Sequence, residues 1–368
     1  MIKRTFLWLL VVLGVVCAGA PTAWAAIPEE PLETLEKALP SETQKLLSDV
    51  YPLSGNSWSD GMTAILSAGR ERAEMLLRQV IGSGAALLVI VMLCNGARLL
   101  YGGEQDARVL RCTVMTGALA ITVLSAGNVD EMIGLGAETI HIMDDFSKTL
   151  LPLLGMACAA SGGAAAAAVR EMITTLFVDF LVTFIDRFLV PLVYIYIGAI
   201  AAHAVLQHHS LQAIAKGIRK AVVWSLTGVV TVFTGYLAVS GVISGTADAA
   251  ALRAAKFAIS GAVPVVGSVL SEAASTLLLG ASAMKNAIGL FGTLAIFAVC
   301  MLPFLQIGMQ YLLYKVTAFF AELFDQAGLA PFISDIGGAF GLILGMAGAC
   351  ALLLLISLIV SISVVVPL

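Results

Sequence analysis

The stretch IGGAFGLILGMAGACALLLLISLIVSISVVVPL, residues 336–368, carries no charged side chain. As a helix rising 1.5 Å per residue, it is longer than the ~30 Å hydrocarbon core of a bilayer. It therefore predicts a terminal membrane span with apolar length to spare. Within it Gly337, Gly341 and Gly345 recur every four residues. Small residues at that spacing let helix backbones approach closely in lipid, where association relies on packing and not on the hydrophobic effect. These three are a candidate packing seam, within the chain or toward a partner. Gly241 and Gly245 repeat the spacing once.

The composition of the whole chain agrees with this reading. Of its 368 residues, 60% are hydrophobic without counting the 35 glycines, and 12% are charged. Soluble domains carry about 25% charged residues. Mean hydropathy is +0.99. This excludes a soluble enzyme, and it excludes a disordered chain, which needs low hydrophobicity and high charge. With 20 Lys+Arg against 24 Asp+Glu, the net charge is −4 and there is no basic stripe, which argues against nucleic acid as a partner. The cysteines Cys17, Cys94, Cys112, Cys158, Cys300 and Cys350 all lie in apolar stretches, and no two form a Cys-x-x-Cys. They read as small core or lipid-facing residues.

Further apolar runs lie at 80–97, 112–127, 221–243 and 288–313. Residues 149–206 hold one or three crossings, with Pro191 a kink or break. The expected fold is an all-α polytopic membrane protein of about six or seven spans. Residues 246–260 read as amphipathic. Glycines and a proline flank the weakly apolar stretch 261–289, which suggests a re-entrant or interfacial element. Lys315, Glu322 and Asp325 mark a loop before the last span.

Charge asymmetry sets the orientation. Loops with Arg98, Arg108 and Arg111, and with His208, His209, Lys216, Arg219 and Lys220, read as cytoplasmic. The stretch 128–148, with Asp130, Glu131, Glu138, Asp144 and Asp145, reads as external. The N-terminus agrees: Lys3 and Arg4, an apolar run over 6–16, and Ala23-Trp24-Ala25 form a signal-peptide pattern cleaved after Ala25. This divides the chain into a signal peptide (1–25), a short exported acidic, amphipathic segment (26–79) and a multi-span domain (80–368). Leu32, Leu35 and Leu39 predict a short amphipathic helix within the exported segment.

Ionisable residues at bilayer depth are costly and face protein or water. Asp179 and Asp186, seven apart, share a helical face, and Arg187 adjoins the second. They are an interhelical lock, with Arg253, Lys256 or Lys285 as partner, a proton or ion path, or part of an interfacial helix in which no charge is buried. His203 and His208 are five apart, off the spacing that puts two metal ligands on one face. No His-Glu-x-x-His, Gly-x-Ser-x-Gly or phosphate-loop pattern occurs. No catalytic, cofactor or metal residues are therefore expected.

The block Gly261-Ala262-Val263-Pro264-Val265-Val266-Gly267, Leu270-Ser271-Glu272-Ala273 and Lys285-Asn286-Ala287-Ile288-Gly289 is more distinctive. With the signal peptide, Pro28, Pro31-Leu32 and Leu35-Glu36, it resembles the stage III sporulation protein AE family. That adds Pro264, Lys285 and Asn286 to the candidate positions. The resemblance implies a membrane subunit of the channel-like, secretion-type complex between mother cell and forespore. Its partners would be the other stage III A-operon proteins and stage II sporulation protein Q, directly or indirectly. Its place would be the mother-cell membrane around the forespore, and it would have no catalytic activity. The alternative is a secondary transporter using Asp179 and Asp186.

Overall fold

The computed structural model describes residues 34–48, 58–101, 107–262, 267–324 and 329–363. The expected signal peptide and Pro264 lie outside them. Among the described residues there is only helix, apart from short turns at 38–40 and at Gln207 and His208. The helices are α1 (Ser41–Ser48), α2 (Trp58–Tyr101), α3 (Ala107–Cys158), α4 (Ala164–Phe184), α5 (Val190–Leu206), α6 (His209–Ala262), α7 (Gly267–Phe324) and α8 (Leu329–Ser363). Six stretches are long and apolar enough to cross a membrane: Gly61–Ala97, Arg111–Ser161, Glu171–Leu206, His209–Leu237, Met284–Phe324 and Leu329–Ile362.

Helices α7 and α8 form the central hairpin. The Tyr314 and Phe340 rings pack at a tilt of 60°, with their centroids 5.0 Å apart. Gly337 lets α7 approach so closely that an added Cβ would lie 3.0 Å from Tyr314 Cβ. Helix α3 lies against both. It runs antiparallel to α7, with Tyr314 Oη donating to Ser125 Oγ at 3.0 Å and Cys300 Sγ 3.4 Å from Met143 Sδ. It runs parallel to α8: Gly136 packs on Ile343, and Cys158 Sγ lies 3.7 Å from the Ser361 carbonyl. Leu35 and Leu39 are buried in the same core. The Gln44 amide donates to the carbonyls of Glu36 and Leu39, which ties the turn before α1.

Several expectations are corrected here. The acidic stretch 128–148 is no loop but the middle of α3, and Lys216, Arg219 and Lys220 lie on α6. The turn before α6 needs only Gln207, in the left-handed region at φ 54°, and His208. Lys315 and Glu322 belong to α7. The block from Gly267 onward is the first part of that same unbroken helix. Helix α2 is continuous from Trp58 to Tyr101.

Among the described residues, a single stretch of span length and composition, Glu171–Leu206, follows the reversal after α3. The reversal is made by a π turn at Ala159–Gly163, where Ser161 Oγ donates to the Cys158 carbonyl at 2.9 Å. Pro191 does not break the helix. It sits in the first turn of α5 after a second π turn, Ile185–Leu189, and the Val190 amide donates to the Ile185 carbonyl. The wider turn accommodates the amide that proline lacks.

Candidate functional site

The hairpin of α3 with α4 and α5 carries a ladder of polar pairs. Residue numbers rise along one side as they fall along the other. Tyr194 Oη donates to Asp130 Oδ1 at 2.8 Å. His141 Nε2 lies 2.9 Å from Asp186 Oδ2. Lys148 Nζ donates to Asp144 Oδ2 at 2.6 Å and sits 3.8 Å from Asp179 Oδ1. Near the reversal, Gly155 leaves room for the Glu171 carboxyl, where any Cβ would collide.

Asp179 and Asp186 thus both face α3, as their spacing predicts, and α3 supplies Lys148 and His141 beside them. The side chains of Arg253 and Lys256 lie outside the described residues. Lys285 is buried on α7 while Asn286 beside it is exposed, and Arg187 is exposed next to Asp186. Sequence reasoning missed His141 and Lys148 because the pairing depends on where the chain reverses. The ladder is partly open. Asp179 is 61% exposed and Asp186 30%.

Depth makes the ladder unusual. Between 128 and 152 the exposed positions of α3 are Asp130, Glu131, Gly134, Glu138, His141, Asp145, Lys148 and Pro152, with no large apolar side chain among them. This band runs beside the charge-free part of α8, in the register fixed by Gly136–Ile343 and Cys158–Ser361. Exposed Arg70, Glu71, Arg72 and Glu74 of α2 lie at a similar height, since Gly69 packs on Met301 next to the Cys300–Met143 contact.

The glycine stripe on α8 turns as it climbs. Gly337 lies against Tyr314 and Gly341 against the Tyr311 ring at 3.1 Å, whereas Gly345 is exposed with only Leu226 nearby at 4.0 Å. Each four-residue step advances about 40° beyond a full turn of a 3.6-residue helix, so the stripe leaves the α7 face within two steps. Its first two glycines pack inside this chain.

A second charged cluster lies where α5, α6, α7 and α8 meet. Lys315 Nζ donates to the Ser334 carbonyl and to Ser334 Oγ, both at 2.8 Å, and Tyr196 Oη donates to the Asp335 carbonyl at 2.9 Å. Arg219, Lys315, Lys216 and His203 all act electrostatically on Asp335. The signal for this cluster was present in the sequence: Asp335 is the last charge before the charge-free run. No metal-binding group of three or more His, Cys, Asp or Glu residues occurs among the described residues.

Six span-length apolar helices, packed around α7 and α8, define a polytopic helical membrane protein. The pattern of residues 59–365 matches the family Stage III sporulation protein AE, and the chain belongs to that family. It is 23% identical over 246 residues to "Stage III sporulation protein AE" of Bacillus subtilis (strain 168). That match covers 66% of this chain and 62% of the relative, less than two thirds of the relative's length. No solved structure matches the chain.

Proposed function

We propose that this chain is a structural subunit of the membrane channel complex between mother cell and forespore, required for endospore formation. It acts with the other stage III A-operon proteins and, directly or through them, with stage II sporulation protein Q. It sits in the mother-cell membrane around the forespore, with its mature N-terminus outside the cytoplasm, and performs no catalytic step. Family membership supports the sporulation role. The observation that favours a subunit is the charged outer band of α3. Lipid tails cannot solvate Glu131, Glu138 or Asp145, so a band beside an apolar helix calls for water or protein, and a larger assembly supplies both. A secondary transporter working through Asp179 and Asp186 would hold them around an enclosed path, whereas both lie on the outer edge of the hairpin.

The test is affinity purification from sporulating cells of wild type and of the double variant Glu138→Leu/Asp145→Leu. The A-operon proteins should co-purify with the wild type. The variant should retain its membrane level but lose most of the co-purifying protein. Wild-type protein that purifies alone, and moves a solute by itself in liposomes, overturns the reading in favour of transport.

A further inference from the structure

Among the described residues, the cluster around Asp335 has more positive charge than its carboxylate can balance. Lys216, Arg219 and Lys315 come from α6 and α7, and His203 from α5, while Asp335 is the one carboxylate acting on Lys315 among the described residues. Arg219 and Lys315 also repel each other. Among the described residues, the Arg219 guanidinium has no carboxylate within ion-pair distance. It borders Gly338 instead, where an added Cβ would lie 3.6 Å from Nη1 and 3.0 Å from Tyr196 Oη. A planar guanidinium is a strong match to phosphate oxygens, and a lysine beside it adds a point charge.

The cluster also sits at a suitable depth. Arg219 is in the third turn of α6, Asp335 in the second turn of α8, and Lys315 within three turns of the end of α7. All three thus lie within about 15 Å of one end of the bundle. A headgroup layer adds about 5–8 Å to each side of the hydrocarbon core. Trp224 is 66% exposed, with Lys220 Nζ 5.1 Å from its ring centre, a pairing typical of an interfacial anchor. Basic pockets between spanning helices are a recurrent form of headgroup site.

We propose that Arg219, Lys315 and Lys216 bind the phosphate of an anionic phospholipid headgroup, with Tyr196 and Gly338 shaping the floor of the site. The full chain, purified in detergent and stripped of lipid, is titrated with phosphatidylglycerol, phosphatidylcholine or inorganic phosphate while its melting temperature is followed. Phosphatidylglycerol should raise the melting temperature by several degrees, and phosphatidylcholine should not. Arg219→Gln and Lys315→Gln should each weaken the half-saturating lipid concentration about fivefold, whereas Arg72→Gln on α2 should not change it. Lys216→Gln, at an exposed position, serves if the half-buried variants fail to fold. Equal protection by both lipids, or variants that respond like the wild type, overturns the site. Full protection by inorganic phosphate alone overturns the lipid assignment and leaves a free anion as the ligand.

Discussion

The α7–α8 hairpin and the hairpin of α3 with α4 and α5 are both long, apolar and antiparallel, yet they are used differently. In the first, 61% and 56% of the most apolar windows are buried inside the protein; in the second the shares are 33% and 28%. The first places Tyr314, Phe340 and two glycines at its contact and keeps α8 free of charge beyond Asp335. The second closes through half-exposed polar pairs at Asp130, His141 and Lys148. Hydropathy alone marks both as membrane segments. What separates them is the kind of contact each makes, close packing in one and hydrogen-bonded charge in the other.

Substitutions that attack each hairpin on its own terms sharpen this contrast. The largest effect is expected at Gly337→Leu, where the new side chain meets Tyr314 and the α7 backbone. Overpacking of this kind costs about 1–3 kcal/mol, read as a lower melting temperature and less protein in the membrane. Gly341→Leu should cost less, because the Tyr311 ring can move aside, and Gly345→Leu, at an exposed site, least of all. Equal losses at all three would break the idea that the stripe rotates off α7.

In the polar hairpin, Lys148→Met leaves the buried Asp144 carboxylate without its ion pair and should cost about 1–2 kcal/mol. The smallest effect is expected for Asp186→Asn, since its pair with His141 is half open to solvent and such pairs are worth about 0–1 kcal/mol. Asp186→Leu should be tolerated less well than the amide. A loss of function that is equal for both variants at normal protein level would instead favour a proton path. Orientation is checked separately by single cysteines at Glu131 and Gln212 of a cysteine-free variant. An impermeant thiol reagent should label the two sites unequally in intact cells.

Much of the fold was legible because lipid imposes a simple rule: spans must be apolar and helical. The charge-free run at 336–368, the run at 221–243 and the glycine spacing needed no tertiary information. The interruptions were harder to read. Charged stretches at 128–148 and 216–220 look like loops when charge is taken to mean water, but here they continue as helix past any apolar window. The carboxylate site was half legible. The seven-residue spacing of Asp179 and Asp186 gives their common face, while His141 and Lys148 become partners only through the reversal at Ala159–Gly163. The Asp335 cluster joins two helix pairs about 100 residues apart in sequence, α5–α6 and α7–α8, and no periodicity reports that.

The length of α7 has a consequence for what must surround it. Gly267–Phe324 spans 58 residues, about 87 Å at helical rise, nearly three times the thickness of the hydrocarbon core. Standing along the bilayer normal, a helix of that length leaves more than half of its turns outside the hydrocarbon, to be covered by headgroups, water or protein.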